Sequence, residues 1–328
     1  MSISIKKIDY TDGVYYGECY GKTPHGKGRF LFHSGSCYEG EFKDGKFHGI
    51  GWFYFSNGNS YSGQFKEDKY HGYGTLINKT DGWSYKGYFK DGYCDGEGIT
   101  LYDNGNVYEG SYSKGHRHGH GRLVYNDGDI YEGEFYSGVM HGTGSMHYAN
   151  GNIYEGDFRH GKLCGKGIYY FKNGNSYTGD LRDDNFNGQG IFISKTGGWT
   201  YIGQFKDDEL HGKGTTRYDN GECYEGYYSN GYFCGQGQYT YEDGSIYIGE
   251  FCDGQRQGEG SMFYADGDIY EGEWYEDKRH GRGKFRFARS GNTITATWNG
   301  GNCDGVGFIT FPDGSVEQHC WENNEILW

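Results

Sequence analysis

Histidine is the first residue type in this chain whose spacing suggests chemistry. His48, His71, His118, His141, His211 and His280 each stand directly before a glycine. They hold one offset in a repeated phrase, so stacked hairpins would place them in a ladder. Equivalent residues of successive hairpins lie about 10 Å apart, two strand spacings. Ligands of a shared metal sit near 2 Å from the ion. The ladder therefore reads as hydrogen-bonding support for a turn, with metal binding as the alternative. The cluster His116-Arg117-His118-Gly119-His120 is the best local exception.

Carboxylates recur two residues apart, as Glu39/Glu41, Glu132/Glu134, Glu155/Asp157 and Glu271/Glu273. A catalytic pair needs a pocket that shifts at least one pKa. Recurrence in many copies points instead to a solvated outer face, or to a docking stripe for a basic partner. Gly-x-Gly is too frequent to mean anything, and Gly281-Arg282-Gly283-Lys284 lacks the rest of a phosphate-binding loop. The nucleophile-elbow and zinc-protease motifs are missing. Asn78-Lys79-Thr80 fits a glycosylation sequon but has no secretion signal behind it. The sequence thus predicts a protein that is not an enzyme, with no catalytic residue, cofactor or metal.

The elements that must position these residues are β-strands. The 328 residues include 63 Gly and 2 Pro, with 35 Tyr, 21 Phe and 7 Trp. Collagen needs far more Pro, disordered Gly-rich chains lack aromatics, and Gly costs about 1 kcal/mol in a helix interior. A net charge of −14 argues against nucleic acid and weakens contact with anionic membrane. No apolar run approaches the ~20 residues of a spanning helix. Nine cysteines without a C-x-x-C pair, and no signal peptide, imply reduced thiols in the cytoplasm.

Tyr-Glu-Gly phrases mark the period. Leading tyrosines fall at 16, 38, 61, 85, 108, 131, 154, 177, 201, 224, 247 and 270, with Ile294 in the same place in the last full unit. A longer period of 116 residues relates Phe55-Ser56-Asn57-Gly58 to Phe171-Lys172-Asn173-Gly174. Counting the leading Tyr as zero, Gly recurs at +2, +11 and +13, aromatics at +4 and +17, and Asn-Gly or Asp-Gly at +19/+20. Such pairs are strong hairpin signals. A second turn falls near +7, as at Asp44-Gly45. Strand alternation puts 0, +2 and +4 on one face, and a three-residue turn ending at the +20 Gly adds +13, +15 and +17 to it. The expected chain is residues 1–15 as a half repeat or cap, 16–316 as thirteen units, and 317–328 as a closing half repeat.

These phrases closely resemble the MORN repeat (membrane occupation and recognition nexus), from about Gly13 to Val316. The resemblance implies an all-β, elongated, single-layer twisted antiparallel meander of about thirteen hairpins. It also implies a non-catalytic scaffold for partner proteins, on cytoskeletal or ciliary structures in the cytoplasm, with a peripheral phospholipid tether as the alternative. Asp95, Cys164, Asn187, Cys234, Gln257 and Asp304 replace the ladder His, a departure from the pattern.

Three surfaces follow. Tyr38, Phe42, Tyr108, Tyr125, Tyr131, Phe135, Tyr148, Tyr154 and Phe158 are expected both to form the core and to line a partner groove, because one layer leaves a face uncovered. Glu39, Glu41, Glu132, Glu134, Glu155, Glu271 and Glu273 form the outer acidic face. Trp321, Ile326, Leu327 and Trp328 either fold back as a cap or pair two copies into a homodimer. About 26 strands spaced 4.8 Å apart predict a sheet extending roughly 120 Å. Small-angle scattering is expected to return an elongated particle; a radius of gyration near 20 Å, the globular value for this length, would contradict it.

Overall fold

The computed structural model describes residues 3–327. Among them lie 29 strands and no helix. The chain divides into two compact units, Met1–Lys162 and Leu163–Trp328. Within each, successive strands pair antiparallel in an open meander one layer thick.

The repeat at Tyr38 shows how the residues produce this. Strand Cys37–Lys43 turns into strand Lys46–Tyr54 through Asp44-Gly45, with φ of 52° and 84°. Two positive φ values define the type I′ turn that matches strand twist, which is why Gly or Asp/Asn stands here. Strand Lys46–Tyr54 then reaches strand Ser60–Lys66 through Ser56-Asn57-Gly58. Phe55 N donates to Asn59 O at 2.9 Å, Asn59 N donates to Asn57 Oδ1 at 3.0 Å, and Gly58 has φ 87°. This is the three-residue turn expected from the pattern. Its register sets Phe53 opposite Tyr61 and Gly51 opposite Gly63, so +13 and +15 share the tyrosine face.

The ladder tyrosines are the core. Tyr38 lies flat over the paired glycines: a Cβ on Gly51 would sit 2.4 Å from Tyr38 Oη, and one on Gly40 2.5 Å from it. The hydroxyl donates to Glu41 O at 2.8 Å. Phe42 and Phe65 meet the ring edge-on at 5.1 and 5.0 Å, and Phe47 stacks on it at 3.9 Å. Tyr38 is 0% exposed. A single layer therefore buries a ring completely, because the next repeat and the +9 residue together act as the missing layer. Tyr70, Phe186 and Phe233 repeat the +9 stack on Tyr61, Tyr177 and Tyr224. Arg117, Arg256 and Arg279 replace it with a guanidinium 5.5–5.7 Å from the ring centre.

Repeats also bond to each other through their turns. Asp68 takes the second place of its turn at φ 66°, and its Oδ1 accepts from Phe47 N of the preceding repeat at 2.8 Å. Asp208 does the same for Phe186, at 2.7 Å. At the opposite margin Asn106 Oδ1 accepts from Asn126 N, and Asp129 Oδ1 from Ala149 N.

One expectation is corrected, at the start of the array. The array begins at Tyr15, not Tyr16: Tyr15 is 0% exposed over Gly17 and Gly28, whereas Tyr16 is 44% exposed. Alternation admits only one of two adjacent tyrosines to the core face, and the one two residues before Gly17 wins; the step to Tyr38 is then 38 − 15 = 23 residues. At the other end the tail folds back. Trp321 pairs with Ile326, and Leu327 N donates to Cys320 O at 2.8 Å. Trp321 is buried, while Ile326 and Leu327 stay exposed; Trp328 lies outside the described residues.

The last full repeat contains a natural control. Ile294 stands in the tyrosine place, and its +2 residue is Ala296, not Gly. With no ring across the glycine pair, a methyl fits. Gly133→Ala, beneath Tyr131, is therefore expected to destabilise by about 2–4 kcal/mol. Tyr131→Ile with Gly133→Ala should cost less than the sum of the single changes by more than about 0.5 kcal/mol. Hydrogen exchange of strand Ile130–Tyr136 in the four proteins measures this; simple additivity would contradict the ring-over-glycine account.

Candidate partner-binding faces

The tyrosine face contains both buried and accessible rings. Of the nine expected to line a groove, Tyr38, Phe42, Tyr108, Tyr131, Phe135, Tyr154 and Phe158 are core, each 4% exposed or less. They are covered by their neighbours, so they shape the groove from beneath. Tyr125 and Tyr148 are half-buried and reach solvent. Burial pushes the Tyr125 hydroxyl pKa up, against the nearby Arg117 charge. Further accessible rings lie at +9 and +15, and at +17 in repeats the expected groove did not name. Phe32, Phe47, Phe53 and Phe55 are half-buried. Phe30 meets Phe32 at 4.5 Å, Phe32 meets Phe53 at 5.6 Å, and Phe53 meets Phe55 at 4.5 Å. Tyr10, Asp12, Phe30, Phe32, Phe47 and Asp68 are among the residues around a groove of about 480 Å³ there. The +15 and +17 periodicity signalled these rings; nothing in the sequence separated them from the fully covered ones.

The acidic pairs split into two roles. Glu39, Glu132, Glu155 and Glu271 at +1 are exposed. At +3, Glu41, Glu134 and Glu273 turn onto a β-bulge. Glu41 pairs with His48 and Gly40 with Gly51, which leaves Gly49 and Ile50 unpaired between them. Gly49 has φ 56°, and a Cβ there would strike the Glu41 carboxylate. The carboxylate accepts the stranded amide: Glu41 from Ile50 N at 3.3 Å, Glu134 from Thr143 N at 3.0 Å, Glu273 from Arg282 N at 2.9 Å. Glu18 does the same for Lys27 N at 2.8 Å, and Asp180 for Gln189 N at 3.0 Å. A bulge always leaves a backbone group to satisfy, so the +3 acid is structural.

The histidine expectation is also corrected. It is the backbone carbonyl of the +10 residue that bonds: Tyr38 Oη reaches His48 O at 3.3 Å and Tyr201 Oη reaches His211 O at 3.3 Å. The imidazoles pack instead, as in His25 on Tyr20 at 4.3 Å and His118 on Tyr136 at 5.3 Å. His71 Nδ1 and His141 Nδ1 are buried without a hydrogen-bond partner. Among the described residues, no three His, Cys, Asp or Glu are placed to hold a metal, and no helix is long and apolar enough to cross a membrane.

The outer face is not uniformly acidic. Tyr16, Arg29, Glu39 and Trp52 are opposite one another across four strands, and with Ile50 they line a shallow trough of about 530 Å³ over the glycine rows. Trp52 and Ile50 are 47% and 55% exposed.

The +3 carboxylates should make stability acid-sensitive. The Thr143 backbone and side-chain bonds hold the Glu134 pKa below its ordinary 4.5. The Lys166 bond, then the Gln189 amide, hold that of Asp180 below 3.8. Depressed folded-state values add stability above the ordinary ones, and that stability is lost as pH falls through the lowered values. Melting temperature is expected to be flat near neutrality and to fall below about pH 4.5. Glu134→Gln, the residue found at this place as Gln64 and Gln204, should make the acid-side fall shallower; an unchanged pH profile would contradict the role.

Comparison with known proteins agrees with this geometry. The family model for the MORN repeat matches thirteen consecutive segments: 15–37, 38–60, 61–80, 85–107, 108–130, 131–153, 154–176, 177–199, 201–223, 224–246, 247–269, 270–291 and 295–316. No curated protein matches the chain. Among solved structures, the G-box domain of the microcephaly protein CPAP is 13% identical, over 64% of this chain and 99% of that one, at a TM-score of 0.30. The TCP10 domain of Danio rerio CPAP is 12% identical, over 67% and 92%, at 0.25. A streptogramin B lyase is 12% identical, over 98% and 87%, at 0.14. Superpositions this loose add nothing to the reading. Thirteen matched segments, twelve of them opening on the buried tyrosine that lies over its glycine pair, make this chain a member of the MORN-repeat family.

Proposed function

We propose that this protein is a non-enzymatic scaffold that binds partner proteins along its aromatic face, within a cytoskeletal or ciliary assembly in the cytoplasm. The observation that carries the reading is the row of accessible rings beside the buried ladder. Large rings left half in water, in contact with one another from Phe32 through Phe53 to Phe55, offer anchor pockets at low entropic cost. Asp12 and Asp68 outnumber Lys22 around the groove and, with a net charge of −14, favour a partner segment whose apolar side chains are flanked by Lys or Arg. A helix or an extended segment suits a groove of this kind. The cellular setting rests on the family. Self-association through the exposed Ile326 and Leu327 is a second contact we assign to the same role.

Proximity labelling in the native cell names the partner, whose binding to the purified full chain is then measured. Phe32→Ser with Phe55→Ser, shown folded by circular dichroism, should weaken it at least tenfold. Glu39→Ala with Glu132→Ala and Glu155→Ala should change it modestly and only at low salt. His118→Ala with His141→Ala should leave it intact. Loss of binding in the histidine variant alone, or sedimentation with anionic vesicles without any protein partner, would overturn the proposal. Light scattering should give a dimer for the full chain and a monomer for a truncation after Val316; a monomeric full chain leaves the tail as a cap.

A further inference from the structure

Cys234 and Cys252 are both free thiols, and the strand register brings them together. Strand Tyr232–Thr240 pairs with strand Ile246–Cys252, with Gly237 opposite Gly249 and Gly235 opposite Phe251. Cys234 and Cys252 flank that last pair on the same side, where the ladder ends and Gly235 turns left-handed with φ 58°. Neighbouring strands lie about 4.8 Å apart, within the roughly 4.4–6.8 Å of Cα separation that a disulfide spans.

Side chains at this place do meet. The equivalent residues 116 positions earlier are His118 and Tyr136, whose rings are 5.3 Å apart. Cys252 is exposed and Cys234 half-buried. Burial raises the Cys234 thiol pKa, and the Cys252 and Asp253 charges raise it further, as expected for neighbouring groups.

We propose that Cys234 and Cys252 are a reversible oxidation site, forming a disulfide that clasps the repeat of Tyr224 to the repeat of Tyr247. The oxidant is a low-molecular-weight disulfide such as oxidised glutathione. The exposed Cys252 thiolate attacks it, forming a mixed disulfide and releasing one glutathione thiolate. The Cys234 thiolate then attacks Cys252 Sγ and expels the second. The two protein thiols lose two electrons and two protons, and two reduced glutathione molecules carry them away. The new bond closes the margin of the sheet, where Gly254 N already donates to Phe233 O at 3.0 Å.

The test equilibrates the full chain with graded oxidised-to-reduced glutathione, quenches with acid, alkylates, and maps non-reduced peptides by mass spectrometry. A peptide linked between residues 234 and 252 should appear while the other seven cysteines still alkylate. Hydrogen exchange across 232–252 should slow about tenfold on oxidation and recover with dithiothreitol. Cys234→Ser should leave Cys252 trapped with glutathione, and Cys252→Ser should leave Cys234 alkylatable. Accumulation of glutathionylated Cys252 in the wild-type chain, linkage of Cys252 to any other cysteine, or failure of both residues to oxidise would overturn the proposal. The wild-type linkage map decides the matter even if a serine variant misfolds.

Discussion

A phenol ring lying across two facing glycines is the contact on which the rest of this structure depends. The glycines remove the side chain from both strands at one point, so the ring lies directly against the paired backbones. It fixes the register, because Tyr131 must stand where Gly133 and Gly144 face each other. It orients the ring through a hydroxyl that reaches the carbonyl three residues on, at 2.6–3.1 Å in twelve repeats. A buried hydroxyl without a partner would cost about 1–3 kcal/mol, so this bond is part of the reason tyrosine outnumbers phenylalanine at the leading place. Its neighbours then follow. The +4 ring meets two successive tyrosines edge-on, and the bulge after +10 lets the return strand come back into step with the glycine.

Substitutions within the array obey the same geometry. Where the +4 ring is Tyr112 or Tyr228, its hydroxyl pairs with Thr100 or Thr216 of the preceding repeat, at 2.5 and 2.6 Å. Those residues are 116 positions apart, so the hydroxyl and its partner were kept together through the longer period. At Phe42, Phe65, Phe89, Phe135, Phe158, Phe205 and Phe251 the ring has no hydroxyl and no partner is required. The +6/+7 turn shows a comparable rule. Gly ends it in some repeats; in others Asp68, Asp184, Asp208 and Asp277 accept positive φ and bond back to the preceding repeat. Loss of glycine freedom is offset by a side-chain bond that glycine cannot make.

The hairpins and the shared face of 0, +2, +4, +13 and +15 were legible because Asn-Gly and strand alternation are local signals. The start of the array was not: Tyr15-Tyr16 offers two candidates one residue apart, and only the ring seated on Gly17 and Gly28 resolves them. The +3 carboxylates were read as solvent-facing because the bulge is a long-range consequence of facing glycines, invisible in a single strand. The histidines failed for a related reason. Their place before an αL glycine suggested a side-chain role, whereas the backbone there is what the tyrosine hydroxyl uses. Of the rings expected to be both core and groove, Tyr125 and Tyr148 reach solvent and Tyr38, Tyr131 and Tyr154 are wholly covered, a division that period-2 patterning cannot make between neighbours on the same face.

That distinction bears on how such an array can specify a partner. The positions that hold the repeat together are nearly invariant along the chain: the leading ring, the glycine pair, the bulge glycine and the turns. They are buried or consist of backbone, so a partner cannot read them. The positions that reach solvent vary from repeat to repeat. On the outer face they pass from Trp52 to Lys86 to Glu132. Construction and recognition thus use different residues of the same strand. A change at an exposed place leaves the ring-over-glycine contact untouched, so binding specificity can alter along the array at little cost in stability. A change at the tyrosine or its glycines acts on folding first, and on any partner only through it.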